Sequence, residues 1–193
     1  MIPTPPSHVA LDLPPWLVEN LERRSPVVHN DNEQQMAFVL EIAAENSRQG
    51  GGPFAAAVYG SGGELVSLGV NRVVPDSTPI AHAEIMAIAA AGQALGTWDV
   101  RSRGEFTLVS STEPCAMCMG AVPWAGVRSL VIGARDEDAR AVGFDEGNKP
   151  ADWREHLAAV GITVTRDLLR DEAAKILLDY ASSGAPIYNG STA

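Results

Sequence analysis

Between Asn32 and Ser47 the apolar residues Met36, Val39, Leu40 and Ala43 recur at i, i+3, i+4 and i+7, which predicts an amphipathic helix. Gly50-Gly51-Gly52-Pro53 stops it, because neither residue type sustains a helix interior. Two short apolar runs follow, Phe54 to Tyr59 and Glu64 to Asn71, and the intervening Gly60-Ser61-Gly62-Gly63 reads as a hairpin turn. Farther along, the pattern predicts a helix opening at His82 and a strand at Phe106 to Ser110, then a helix from Cys115 to about Trp124 and a strand at Ser129 to Ile132. A short helix around Asp136 to Ala141, a strand at Ile162 to Thr165 and a final helix at Leu168 to Ala181 complete it. Helices alternating with strands in this way specify an α/β fold in three layers, α/β/α. Pro3, Pro5, Pro6, Pro14 and Pro15 keep the start extended, with a short helix expected at Trp16 to Arg24. Residues 1–30 are therefore assigned to an N-terminal extension and 31–193 to one domain.

A chain of 193 residues can bury a full core in a single domain. The formal charge of −10 argues against a polyanionic partner: beyond Arg23-Arg24, only Arg101 and Arg103 stand close together, and no basic stripe is found. Asp136-Glu137-Asp138 reads as a solvated acidic face. No basic start leads into an apolar stretch, and runs such as Ile85 to Ala91 fall well short of the ~20 residues that span a bilayer. The expectation is a cytoplasmic protein whose partner is neither a nucleic acid nor a membrane.

Both cysteines stand in Glu113-Pro114-Cys115-Ala116-Met117-Cys118, upstream of which lies Ala81-His82-Ala83-Glu84. Together the two segments offer an imidazole, two thiols and a carboxylate that need not ligate, the donor set of a catalytic Zn²⁺ with its fourth position open. A closed structural site would need a further ligand, and the chain has no other cysteine to supply. A bare Cys-x-x-Cys would read as a redox pair; His-x-Glu followed by Pro-Cys-x-x-Cys is instead the signature of zinc nucleobase deaminases. Pro114 suits the first turn of a helix, with Cys115 and Cys118 on one face beyond it. His82 also opens a helix, so two helix N-termini would face one metal and favour thiolates. His82, Cys115 and Cys118 are thus the expected ligands of one Zn²⁺ per chain. Glu84 is the expected proton carrier, taking a proton from water to the ring nitrogen beside the attacked carbon and later protonating the departing amine. Alone, Glu84 would read as a first-turn surface acid. His8, His29 and His156 have no ligand spacing.

With these motifs placed, the chain resembles the cytidine deaminase superfamily over most of residues 33–190, and within it the bacterial guanine deaminases. The likeness is carried by Gly51-Gly52-Pro53-Phe54-Ala55-Ala56-Ala57-Val58, Asn71-Arg72-Val73, Thr112 to Ala121, Phe144-Asp145-Glu146-Gly147 and Pro186-Ile187-Tyr188-Asn189-Gly190. It implies a mixed five-stranded sheet flanked by helices, and hydrolysis of guanine to xanthine and ammonia. It implies that Asn71 binds the base through an amide that both donates and accepts, and that Phe54 stacks on the ring. Ala81 and Trp124 would edge the pocket and Tyr188 cap it. Asp145-Glu146 would meet the two donors of guanine, with Glu146 in contact or in a second proton transfer and Asp145 behind it. The segment from Trp153 to Ala193 resembles one that such enzymes exchange between subunits, which implies a homodimer. Plainer roles stand beside these: a turn asparagine, a core phenylalanine, a packed tryptophan, a solvated acidic turn, a docked tail. Another aminated heterocycle or nucleoside, such as ammeline, guanosine or cytosine, stays open as substrate, whereas tRNA adenosine is disfavoured by the lack of a Lys/Arg groove.

Overall fold

The computed structural model describes residues 10–189; Pro3, Pro5, Pro6, His8 and Gly190 lie outside them. In chain order come α1 (Pro15–Arg24), α2 (Asn32–Arg48), β1 (Ala55–Gly60), β2 (Leu65–Val70), α3 (Ala83–Leu95), a 3₁₀ turn (Val100–Arg103), β3 (Phe106–Thr112) and α4 (Ala116–Ala125). β4 (Ser129–Ala134), α5 (Asp136–Ala141), α6 (Trp153–Ala159), β5 (Thr163–Thr165) and α7 (Arg170–Ser182) follow. The strands form one mixed sheet in the order β2-β1-β3-β4-β5, antiparallel from β2 to β3 and parallel from β3 to β5.

Alternation along β1 divides the core in two. Ala55, Ala57 and Tyr59 face one side with Met36, Val39 and Ala43 of α2, and Ala173 and Leu177 of α7. Ala56 and Val58 face the other, with Ala83 and Ala87 of α3, Val122 of α4 and Leu157 of α6. This is the expected three-layer arrangement, and β1, buried on both faces, is apolar throughout because it has no solvent side. Gly69 of β2 lets α3 approach closely, since a Cβ there would overlap the Ala83 carbonyl and the Ala87 nitrogen.

Several details depart from expectation. α6 and the 3₁₀ turn were not predicted; α6 buries Trp153 and Leu157, one i, i+4 pair, which is too little periodicity to read. Pro114 lies ahead of α4, whose N-cap is Cys115, and a different proline, Pro123, sits inside the helix. The described part of the N-terminal extension does not stand apart. Leu17 of α1 is fully buried in the α2 side of the core, Val28 bridges to Glu64, and Leu65 N donates to the Val27 carbonyl at 3.0 Å. Asp136 to Asp138 is no merely solvated face, because Arg140 pairs with Asp136, Arg170 with Asp138 and Lys149 with Asp136.

Because β1 runs against β2 and β3, its entry lies beside their carboxyl ends: Ala55 pairs with Val70 and Ala56 with Ser110. Phe54, Asn71 and Thr112 are thereby gathered at one end of the sheet, and Thr112 pairs with Ala134, from which the chain leads into α5. Carboxyl ends of strands at a change of strand direction are where α/β sheets open a crevice.

Candidate active site

That crevice is a cavity of about 620 Å³, lined among others by Phe54, Asn71, His82, Glu84, Cys115, Phe144, Asp145, Glu146 and Tyr188. Its floor is made by two helix starts. His82 is the N-cap of α3 and Cys115 the N-cap of α4, both in extended backbone, so their side chains and the free N–H ends of both helices converge. Among the described residues, one group of three potential ligands is close enough to hold an ion: donor atoms of His82, Cys115 and Cys118 lie within 4.8 Å of one another. Cys115 Sγ is 3.5 Å from His82 Nδ1, which identifies Nδ1 as the nitrogen facing the centre.

Burial opposes charge on the His82 ring, but Cys115, Glu84 and Glu146 together raise its pKa. The Cys118 thiol donates to Cys115, and with His82 this pushes Cys115 down to about 4, while the same contact and burial push Cys118 up. A divalent ion reverses the second shift, since a coordinating thiol is deprotonated outright. One imidazole and two thiols suit Zn²⁺, and the 3.5 Å between Cys115 Sγ and His82 Nδ1 matches tetrahedral bonds of about 2.0–2.3 Å, which keep ligand atoms under about 4 Å apart.

Glu84, in the first turn of α3, is buried beside the ligands, and Ser110 Oγ lies 3.2 Å from its Oε1 and 2.7 Å from the Thr112 carbonyl. Burial first, then the Cys115 charge, raises its pKa, which suits a group that must hold a proton part of the time. Glu146 is buried too, and burial with the Cys115 and Glu84 charges pushes it up to about 8 against the pull of Lys149. Asp145 is the outer member of the pair: its N–H is bonded by Asn189 Oδ1 at 2.8 Å and its Oδ1 accepts from Gly147 N at 2.9 Å. Asn71 lines the cavity and still makes the turn contact, Oδ1 accepting from Val73 N at 3.2 Å.

Phe54, Phe144 and Tyr188 form an aromatic wall, with Phe144 edge-on to Phe54 at 4.9 Å and to Tyr188 at 5.3 Å. Tyr188 Oη is buried with no partner among the described residues, and it sits beside Gly52, where a Cβ would overlap it. Asn189 Nδ2 also bonds the Gly143 carbonyl at 2.9 Å, so the tail is fastened to the acidic loop.

Two expected contacts are corrected. Trp124 is 82 % exposed and absent from the cavity, because at about 3.6 residues per turn it points away from Cys115 on α4. Ala81 is fully buried outside the lining, its carbonyl accepting from Arg72 N at 2.8 Å. His29 bonds Tyr59 Oη at 3.0 Å and His156 pairs with Asp152 at 3.2 Å, so neither joins the site. Conversely, two buried polar side chains have no role assigned from the sequence. Asn46 Nδ2 donates to Gly52 O and Asn71 O, and Glu113, next to Pro114, pairs with Lys149 and Arg166.

Fold and centre together define a zinc-dependent deaminase class. The family model for the cytidine and deoxycytidylate deaminase zinc-binding region matches residues 29–134, and the chain belongs to that family. Its similarity runs on to guanine deaminases. The Bacillus subtilis guanine deaminase is 34 % identical over 131 residues, covering 64 % of this chain and 81 % of that protein. The structure of guanine deaminase from Nitrosomonas europaea superposes with a TM-score of 0.87 at 45 % identity, covering 93 % of this chain and 100 % of the other. A structure of NE0047 in complex with 2,6-diaminopurine gives a TM-score of 0.87 at 48 % identity, with 93 % and 97 % covered. No described helix is long and apolar enough to cross a membrane.

Proposed function

We infer that the chain is a guanine deaminase: guanine and water give xanthine and ammonia. The observation that carries this reading is the pairing of a three-ligand centre with a second buried carboxylate, Glu146, in one cavity walled by aromatics. Similarity to the Nitrosomonas europaea enzyme over nearly the whole chain supports it.

His82, Cys115 and Cys118 hold Zn²⁺, which when bound makes water a nucleophile at neutral pH. Phe54, propped by Phe144, presents a face for the purine ring to stack on. The Asn71 amide addresses the edge that carries both a carbonyl and a ring nitrogen. Glu146 meets the donor groups of guanine; lifted to about 8, it exchanges a proton near neutral pH more readily than a free glutamate, as a second transfer requires. Glu84, at the ligand end of the cavity, takes one proton from water and gives it to the ring nitrogen beside the amine-bearing carbon, then takes the second from the hydroxyl left on that carbon and gives it to the amine as the C–N bond breaks. Tyr188 closes the cavity over the base, and its hydroxyl, which has no partner among the described residues, supplies a polar contact for it.

The assembly that fits this reading is a homodimer exchanging the segment from Trp153 onward. β5 pairs with β4 and α7 packs on α2, and a partner's identical segment would make the same contacts. Two thiols committed to a metal suit the reducing cytoplasm, and conversion of guanine to xanthine suits a role in purine breakdown.

The deciding experiment is ammonia release by the zinc-loaded protein on guanine, guanosine, adenine, cytosine, cytidine and ammeline, with Glu84→Ala as the blank. Activity concentrated on guanine and absent from the variant is expected. Activity on another base or on the triazine, with none on guanine, would overturn the substrate assignment and leave the deaminase class in place.

A further inference from the structure

We propose that Lys149 is a positioning residue that locks the Cys115 loop and the Glu146 loop in one register from behind the cavity. Its side chain is 8 % exposed and that of its partner Glu113 is 3 % exposed, so both charges are held away from water. Lys149 Nζ lies 2.9 Å from Glu113 Oε1, 3.0 Å from the Pro114 carbonyl and 2.6 Å from Asp136 Oδ1. An ammonium carries three donors; here two hydrogen bonds go to Glu113 and the Pro114 carbonyl, and Asp136 lies within ion-pair distance as a third oxygen.

The Pro114 carbonyl belongs to the peptide unit that leads directly into Cys115, so this contact sets the direction from which that thiolate approaches the metal. Glu113 is held from the other side by Arg166 Nη2 at 2.7 Å, and its N–H donates to the Ala134 carbonyl at 2.8 Å. The Glu146 loop is tied to the same place, since Ala116 N donates to the Glu146 carbonyl at 2.9 Å and Lys149 stands three residues farther along that loop. One ammonium thus closes a ring of contacts through the metal loop, α5 and the acidic loop.

The choice of side chain matters. Lys149 and Lys175 are the only lysines of the chain, and every other cation around this acidic cluster, Arg135, Arg140, Arg166 and Arg170, is an arginine. A compact ammonium can point its donors at three separate acceptors, whereas a guanidinium is a planar fork suited to paired oxygens. Charge alone would be served by either residue; this geometry is served by lysine.

The inference rests on His82, Cys115 and Cys118 as zinc ligands and on guanine as substrate, and its first readout needs only the ligands. The test uses full-length, zinc-loaded K149R and K149M. Zinc release to a chromophoric chelator is followed first, and kcat and KM for guanine second. Partners behind a metal ligand typically change affinity or activity on the order of 10–100-fold, so zinc release should quicken and kcat fall by factors in that range in both variants. KM should move less than kcat, because Phe54 and Tyr188 lie outside the two loops that Lys149 joins, although Glu146 shifts with its loop. K149R keeps the charge and thereby the balance of the cluster, so it decides the matter even if circular dichroism shows K149M misfolded. A K149R protein with wild-type zinc release and wild-type kcat overturns the proposal whatever K149M does. Should the wild-type protein be silent on guanine, the substrate reading fails and the release rates still decide the role of Lys149.

Discussion

Asn46 is fully buried in α2, and its amide donates to Gly52 O at 2.8 Å and to Asn71 O at 2.9 Å. It therefore fixes, from outside the cavity, the backbone of Asn71, the residue proposed to contact the base. Asn46→Ala leaves those carbonyls short of partners in a buried setting, at about 1–3 kcal/mol each at most. The expected result is a lower melting temperature together with a KM for guanine that rises more than kcat falls. Gly52 fills the complementary role, since a Cβ there would meet Tyr188 Oη and lie 2.8 Å from Asn71 Oδ1. Gly52→Ala should raise KM with zinc stoichiometry unchanged; wild-type kinetics would move Tyr188 and Asn71 off the base. For Glu146→Gln the same logic gives a different signature, a large loss of kcat with bound zinc intact, because the amide keeps the shape of the side chain and loses its proton exchange. Metal analysis beside steady-state kinetics separates the two cases.

Among the elements, α3 and α4 contribute their N-termini to the metal, while α5 and the loop before α7 carry an ion-pair network on the far side of β4. Arg170 hydrogen bonds hold Asp138 below the usual carboxylate range, and Arg135 does the same for Asp167. A depressed carboxylate pKa stabilises the native state above the unfolded pKa, and the contribution disappears as pH falls through the native one. Stability should therefore hold down to about pH 4 and decline below it. Denaturant titrations at stepped pH should show this fall, and Arg170→Ala should flatten it, though only modestly because the pairs are partly exposed. Glu84 has the opposite sign: its raised pKa favours the protonated native form, so it adds nothing to that acid loss. An acid slope unchanged in Arg170→Ala would remove the network as its cause.

For the molecule as a whole, the metal centre joins the start of α3 to the start of α4, and the tail joins the far end of the chain to the acidic loop. A ligand bound only by the native state stabilises it by mass action, so stripping zinc with a chelator should lower the melting temperature and adding zinc back should restore it. Deleting everything after Ala185 removes Tyr188 and Asn189 and should raise KM; an unchanged KM would free the tail from the site. What the sequence by itself determined was whatever depends on near neighbours. Three-residue spacing placed Cys115 and Cys118 on one helix start, hydrophobic period separated α2 from the β1–β2 hairpin, and breakers marked where each element ended. The grouping of His82, Cys115 and Cys118 as a metal-holding set was legible for that reason. Tertiary structure alone decided which distant residues stand behind them. Lys149 meets Glu113, and Asn46 meets Asn71, across gaps of 36 and 25 positions. Trp124, which the sequence placed by the pocket, faces outward because the rotation of α4 is set by what Val122 and Cys118 bury. Local spacing reports how a chain curls, but which side of each element is buried depends on docking free energy summed over the whole core, and no short segment carries that sum.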